Sequence, residues 1–171
     1  MELIVEDGSG RADANSYCSL ADADAYHEAH VSGLDWFTDA NGAGPIEASI
    51  REARLIQATR LLDEQIAWRG QPASFTQALA FPGMWYTDKF GRQIAFNVVP
   101  TEVKSAAAEL ARLILTEDRA ALAEDFQETA VSMGGTSITY GNRGGARRRI
   151  IPASVRSLVS HLTDTSRVVR A

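Results

Sequence analysis

Apolar residues recur at helical spacing in two long stretches of the chain. The first covers residues 45–67 and carries an apolar stripe at Leu55, Thr59, Leu62 and Ile66. The second covers residues 100–116 and carries its stripe at Val103, Ala107, Leu110 and Ile114. Intervals of three and four residues place side chains on one face of a helix, so both stretches predict amphipathic helices. We expect the first, which is the longer, to be the central helix of the fold.

Two shorter helices are predicted at the ends of this pattern. Ser19 followed by Asp22 resembles a weak capping box, so a helix should begin there and run to about Val31. Its small face is suited to close packing and consists of Ala21, Ala25 and Ala29. The last helix should start at Pro152, because proline is favoured in a first helical turn. Its buried residues should be Val155, Leu158, Val159 and Leu162.

Extended segments and glycine-rich loops fill the rest of the chain. Residues 129–133 and 136–140 are joined by Gly134-Gly135, and a two-residue glycine link predicts a β-hairpin. The segment 84–94 is predicted to form two short extended pieces around a turn at Asp88 to Gly91. The fold class should be mainly α: a small bundle of about four helices with a short β-hairpin and extended terminal arms. We expect one domain over residues 1–162, including loops 32–45 and 141–151, and a C-terminal tail over 163–171.

Charge is distributed unevenly although its total is modest. The 171 residues carry 17 Lys and Arg against 22 Asp and Glu, a net charge of −5, so composition alone does not indicate a polyanion-binding protein. Residues 1–40 hold nine acidic residues and one arginine, whereas residues 141–171 hold seven arginines and one aspartate. Such asymmetry is typical of interaction surfaces, but solvated faces and tails of opposite charge would give the same pattern.

The seven arginines near the C-terminus are the candidate partner-binding residues: Arg143, Arg147, Arg148, Arg149, Arg156, Arg167 and Arg170. The first four flank glycines in a predicted exposed loop. Guanidinium groups bind phosphate or carboxylate bidentately, so this loop could contact DNA or an acidic protein surface. A loop that merely increases solubility is the remaining alternative.

A second candidate is the aromatic segment over residues 75–96. It contains Phe75, Phe81, Trp85, Tyr86, Phe90 and Phe96, and Arg69, Lys89 and Arg92 lie nearby in the sequence. Aromatic rings with neighbouring cations can stack on unpaired bases. We favour the other interpretation, in which these rings fill the core beside the helices, because aromatic side chains usually do so.

Catalytic and metal-binding motifs are not found in the sequence. His27 and His30 are three residues apart, which does not match the zinc-protease spacing, and we expect them on an exposed polar helix face. A single Cys18 allows no internal disulfide, which fits a reducing compartment. We therefore expect no enzyme activity, no metal and no cofactor. The N-terminus lacks a secretory signal and no apolar run approaches a membrane span, so we also expect a cytoplasmic protein without membrane contact.

Several segments together resemble a known family. In order they are "LIVEDGSGRADANSYCSLADADAYHEAH", "REARLIQATRLLDEQIAWRG", "QALAFPG" and "VPTEVKSAAAELARLIL". The chain resembles, from Leu3 to about Leu162, the small head–tail connector proteins (adaptor, or head-completion, proteins) of tailed bacteriophages. Sequences of this type are also labelled DnaT-like ssDNA-binding.

The resemblance implies a structural virion protein. Its copies would form a ring, a dodecamer, beneath the portal, extend the DNA channel and dock the tail or a stopper protein. The partners would be its own copies, the portal protein, the tail or stopper, and packaged DNA contacted without sequence specificity. The location would be the virion neck, after assembly in the bacterial cytoplasm, and the arginines would face a protein partner or the channel DNA. The alternatives are a single-stranded DNA-binding replication accessory protein and an unrelated helical interaction module.

Overall fold

The computed structural model describes residues 2–39, 44–116, 131–133, 136–138 and 150–164. The helices in this part of the chain are α1 (Leu20–Glu28), α2 (Leu34–Phe37), α3 (Ala48–Gln65), α4 (Thr101–Thr116), α5 (Ala153–Leu158) and a 3₁₀ turn (Ser160–Leu162). The strands are β1 (Gln71–Pro72), β2 (Gly83–Met84), β3 (Val131–Met133) and β4 (Thr136–Ile138). The predicted fold class, mainly α with a short β-hairpin and extended arms, is confirmed.

Helix α4 lies at the centre of the fold and packs against α1, α2, α3 and α5. The prediction that the helix within residues 45–67 is central is therefore wrong. The reason is the alanine-rich sequence of α4, in which Ala106, Ala107, Ala108 and Ala111 are buried. Small side chains let neighbouring helices approach on several sides, and α4 also buries Glu109 and Arg112 as an ion pair with 2.6 Å between Nη2 and Oε1.

Helix α1 begins as predicted but presents a different face to the core. The Ser19 hydroxyl accepts a hydrogen bond from the Asp22 amide at 3.1 Å, which confirms the cap. The helix ends at Glu28, before Val31, and the predicted small face of Ala21, Ala25 and Ala29 is exposed. Ala23 and His27 are buried instead.

His27 also corrects the expectation of an exposed polar face. Its imidazole Nε2 lies 3.1 Å from the Ala108 carbonyl oxygen, and its ring lies 4.9 Å from that of Trp36. Burial lowers the pKa of His27 below its usual value, so the neutral ring is favoured. His30, three residues on, is exposed as expected.

Two antiparallel strand pairs are present in the described residues. Strands β3 and β4 pair with Met133 opposite Thr136, which confirms the predicted hairpin; its Gly134-Gly135 link lies outside the described residues. The pairing of β1 with β2 was not predicted. Gly70 makes this pairing possible, because a Cβ there would collide with the Met84 carbonyl oxygen and the Tyr86 ring.

The remaining predicted boundaries have mixed outcomes. Helix α2 lies within the predicted loop 32–45, where buried Trp36 donates a hydrogen bond to Asp24 at 2.6 Å. Helix α5 follows Pro152 as predicted, and its apolar side is buried with the 3₁₀ turn behind it. Thr163 pairs with Trp68 in an isolated bridge. A division of the chain into a domain and a tail at residue 162 stays a prediction.

None of the described helices has the length and apolar character needed to cross a bilayer.

Candidate functional site

Six of the seven candidate arginines lie outside the described residues. They are Arg143, Arg147, Arg148, Arg149, Arg167 and Arg170. Arg156 is described and is half-buried within α5. The assignment of these arginines to a partner-binding surface therefore stays a prediction.

The aromatic segment is divided between the core and the surface. Phe81 and Tyr86 are buried, as favoured from the sequence. The same expectation is wrong for four rings, which are exposed: Phe75, Trp85 (61%), Phe90 (71%) and Phe96 (64%). The space beside α3 is already filled, because Phe81 contacts the rings of Tyr17, Trp68 and Tyr86 at centroid distances of 6.0, 4.9 and 4.5 Å. The exposed rings are therefore left in contact with solvent.

Three of these exposed rings lie on one loop between β2 and α4, which we call the aromatic loop (residues 85–96). Its backbone turns back on itself: the Ile94 amide donates to the Tyr86 carbonyl at 2.9 Å, and the Asp88 amide donates to the Arg92 carbonyl at 2.8 Å. The Gly91 amide donates to the Asp88 carbonyl at 3.0 Å, which confirms the predicted turn at Asp88 to Gly91. The rings of Trp85, Phe90 and Phe96 are thus carried by a hydrogen-bonded hairpin.

The Asp88 carboxylate holds the tip of the aromatic loop together. It accepts hydrogen bonds from the amides of Phe90 at 2.8 Å and Arg92 at 2.9 Å, and from the Arg92 Nε at 2.7 Å. Desolvation raises the pKa of Asp88, but these hydrogen bonds outweigh it and leave the pKa below its usual value. The carboxylate is therefore ionised at neutral pH and bound to Arg92.

Two cations lie against the ring at the tip of the aromatic loop. The Lys89 Nζ and the Arg92 guanidinium carbon are each 5.2 Å from the Phe90 ring centroid. This distance is within the range of a cation–π interaction. The loop thus combines exposed ring faces, which can stack on bases, with positive groups that can bind phosphates.

Trp85 has an unfavourable backbone conformation. Its φ is +66°, in the left-handed region that a bulky residue rarely adopts. The side chain is mostly exposed, so burial offsets little of this strain. Strained backbone conformations of this kind are concentrated at functional sites.

A cavity of about 390 Å³ opens beside Trp85. It is bordered by Met84, Trp85, Gln93, Ile94, Ala95 and Phe96. Five of these six residues belong to the aromatic loop, and the sixth belongs to β2.

A half-buried carboxylate anchors the segment that leads into the aromatic loop. Asp63 of α3 accepts hydrogen bonds from the Tyr17 hydroxyl at 2.7 Å, the Trp68 Nε1 at 3.0 Å and the Ala80 amide at 3.1 Å. The Tyr17 hydroxyl in turn accepts from the Phe81 amide at 3.3 Å. Burial raises the pKa of Asp63 and outweighs the hydrogen bonds that lower it.

The N-terminal segment contacts the chain on both sides of the aromatic loop, at Ala78 before it and at Asn97 after it. The buried Glu6 carboxylate accepts hydrogen bonds from the amides of Gly8, Gly10 and Arg11, each at 2.9 Å. The Arg11 carbonyl accepts from the Ala78 amide at 3.0 Å. Gly8, with φ +101°, lies so close to the Asn97 carbonyl that a Cβ would collide with it.

Metal chemistry has no candidate residues in this part of the chain. Across residues 2–39, 44–116 and the shorter described segments, no three His, Cys, Asp or Glu side chains are grouped so that they could hold an ion. Burial raises the pKa of the Cys18 thiol to about 12, so it is not a reactive thiolate.

The family model described as "Putative DnaT-like ssDNA binding protein" matches residues 1–171. The chain belongs to this family. No curated protein and no solved structure matched the chain.

The family assignment corrects the main interpretation of the sequence. The identification as a bacteriophage head–tail connector, with virion, neck and portal-binding roles, is wrong, because the matching family is described by single-stranded DNA binding. A ring of copies and contacts with a portal or tail are likewise not supported. The DnaT-like label, which the sequence also suggested, agrees with the family.

The sequence did contain a signal for the aromatic loop. Lys89 precedes Phe90, and Gly91 and Arg92 follow it, so Phe90 lies in a turn among charged residues. A ring at the tip of a polar turn has few neighbours that could bury it. By contrast, the left-handed backbone of Trp85 has no sequence signature.

Proposed function

We propose that this protein binds single-stranded DNA through the aromatic loop, without sequence specificity. Bases stack on Trp85, Phe90 and Phe96, while Lys89 and Arg92 bind phosphates. The observation that carries the proposal is the exposure of three rings on one hairpin, with two cations 5.2 Å from the middle ring. The family description supports the same ligand.

Exposed rings favour single strands over duplex DNA. In a duplex the faces of the bases are covered by their neighbours, whereas an unpaired base can leave its stack and lie on a protein ring. Duplex binding depends mainly on neutralising many phosphates, and the chain has a net charge of −5. We therefore propose a binding protein without catalytic activity, acting as an accessory factor wherever single strands are exposed, as during replication.

The proposal is tested by measuring the anisotropy of a fluorescently labelled oligo-dT during titration with the full chain. Trp85→Ala and Phe96→Ala should each weaken binding, because one base–ring stack contributes about 1–3 kcal/mol, or about 5- to 150-fold in Kd. The matched control is Leu34→Ala, which truncates a side chain that is 75% exposed on α2 and should leave Kd unchanged. Unaltered affinity in both aromatic variants, or no binding by the wild-type chain, would refute the proposal.

The role of the two cations is tested by salt dependence. Each phosphate contact on a single strand contributes about 0.7 to the slope of log K against log salt, so Lys89→Gln combined with Arg92→Gln should reduce the slope by about 1.4. Arg60→Gln is the control, because Arg60 is an exposed arginine on α3. A slope unaltered by the double substitution would show that the phosphates are bound elsewhere.

A further inference from the structure

The cavity beside Trp85 has the size and lining of a small ligand site. Its volume of about 390 Å³ lies at the lower end of the range of about 300–1,000 Å³ that is typical of ligand pockets. Met84, Trp85, Ile94, Ala95 and Phe96 provide an apolar and aromatic lining. This lining suits a flat, largely apolar group.

One polar side chain borders the cavity. The Gln93 side chain is exposed, so its amide is open to solvent and to a ligand, while the Gln93 backbone is held in the bridge with Thr87. An amide offers both a donor and an acceptor, which are the groups that the edge of a nucleobase requires. A base that enters the cavity could therefore satisfy its polar edge there.

The cavity wall is held in place before any ligand arrives. Met84 pairs with Gln71 across β1 and β2, and the Tyr86 ring is buried against Phe81 at 4.5 Å. Trp85 lies between these two fixed residues in its left-handed conformation. A wall that needs no ordering upon binding loses less entropy, which favours affinity.

The charges beside the cavity match a nucleotide. Arg92 directly precedes Gln93, and Lys89 lies with Arg92 around the Phe90 ring. Both cations lie on the same loop as five of the lining residues, so a strand bound to this loop could reach its positive charge with a phosphate. This complementarity distinguishes a nucleotide from an uncharged apolar ligand.

We propose that the cavity receives one unpaired nucleobase of a bound single strand, extruded from the stack, while neighbouring bases lie on the exposed rings. This inference rests on the proposed function and specifies which part of the strand enters the cavity, namely one nucleobase. Each bound chain therefore holds one base in a partly covered position beside Trp85 and the others in open positions.

Ala95→Leu tests the inference, because it narrows the cavity and leaves all three rings and both cations in place. We expect the Kd for oligo-dT to rise at least about fivefold, the smallest effect associated with loss of one base contact. Ala53→Leu is the matched control, since Ala53 is exposed on α3 far along the chain from the cavity. Thermal unfolding of each variant establishes that it is folded.

A second measurement uses the wild-type chain and does not depend on the variant. A 2-aminopurine is placed at successive positions of a short oligo-dT, and its emission and its quenching by acrylamide are recorded in the complex. At one position we expect reduced quenching by acrylamide, because the walls of the cavity partly cover the base there.

The outcomes separate this inference from the proposed function. Wild-type affinity in Ala95→Leu, or equal acrylamide quenching at every 2-aminopurine position, would overturn the cavity assignment while binding through the rings remained. Failure of the wild-type chain to bind oligo-dT, or wild-type affinity in Trp85→Ala and Phe96→Ala, would overturn the proposed function itself.

Discussion

Replacing Asp63 with alanine removes the acceptor of three hydrogen bonds that connect α3 to two distant parts of the chain. The donors are the Tyr17 hydroxyl, the Trp68 indole and the Ala80 amide. Tyr17 is fully buried, so water cannot replace the lost partner there. An acidic residue near the C-terminal end of a helix is also unfavourable for the helix dipole, which indicates that Asp63 is stabilising through these tertiary bonds.

The expected loss can be worked out from these contacts. Each buried donor left without an acceptor costs about 1–3 kcal/mol, and the Trp68 and Ala80 donors are only half-buried, so their share is at the lower end. Alanine has a higher helix propensity than aspartate, which returns up to about 0.7 kcal/mol. We expect the free energy of unfolding to fall by about 2–5 kcal/mol, and the Tm to fall by about 10 °C.

Urea denaturation followed by circular dichroism measures this loss directly. Glu64→Ala is the matched control, because Glu64 is the next residue of α3 and forms only an exposed pair with Arg60. Such a pair contributes up to about 1 kcal/mol, so the control should be close to the wild type. The reasoning is refuted if Asp63→Ala destabilises the chain no more than Glu64→Ala does.

The pH dependence gives a second check on Asp63. Burial raises its pKa in the folded chain, so the folded state binds the proton more tightly than the unfolded state. The pH-dependent part of its contribution to stability is therefore complete below its unfolded pKa of about 3.9 and is lost as pH rises through the folded pKa, while the hydrogen bonds remain. The difference between wild type and Asp63→Ala should be larger near pH 4 than near pH 8. A difference that grows with pH would contradict this sign.

Two further predictions concern single residues. In urea denaturation, Trp85→Gly should be more stable than Trp85→Ala by about 1 kcal/mol, because only glycine adopts the positive φ without strain. If Trp85→Ala is instead the more stable variant, as is usual for alanine against glycine, the backbone of Trp85 is not strained. His27 has a lowered pKa because it is buried. Its contribution to the free energy of unfolding should therefore be fully present above about pH 6.5 and decline as pH falls through the folded pKa. His27→Gln, whose amide can still donate to the Ala108 carbonyl, should flatten this slope in thermal melts; an unchanged slope would assign the effect to another group.

The helices could be predicted because their apolar spacing is a local property of the sequence. The stripes in α3, α4 and α5 and the Ser19 cap all have local signatures, and the structure contains them. Which helix packs against most of the others could not be predicted in the same way. The longer stretch was expected to be central, yet the small side chains of α4 are what allow four helices to approach it.

The aromatic loop shows the limit of sequence interpretation more clearly. A sequence identifies a ring but not the neighbours that are available to cover it. Phe81 and Phe96 have the same side chain, and only Phe81 finds a site among Tyr17, Trp68 and Tyr86. The interpretation as core residues therefore applies equally to every aromatic residue of segment 75–96. It is wrong for the rings that have no place in the core once Phe81 occupies this site.

The division between buried and exposed rings also separates stability from binding within one short segment. Phe81 and Tyr86 pack against the core, and the Asp63 hydrogen bonds fix the backbone immediately before them. Trp85 and Phe96 lie outside this packing, so truncating them should alter affinity more than the free energy of unfolding. A binding loop built in this way can present strained and exposed side chains because its ends are attached to a core that is stabilised elsewhere. The loop therefore requires the helical bundle as a support, and in the proposed function it is the loop that contacts the strand.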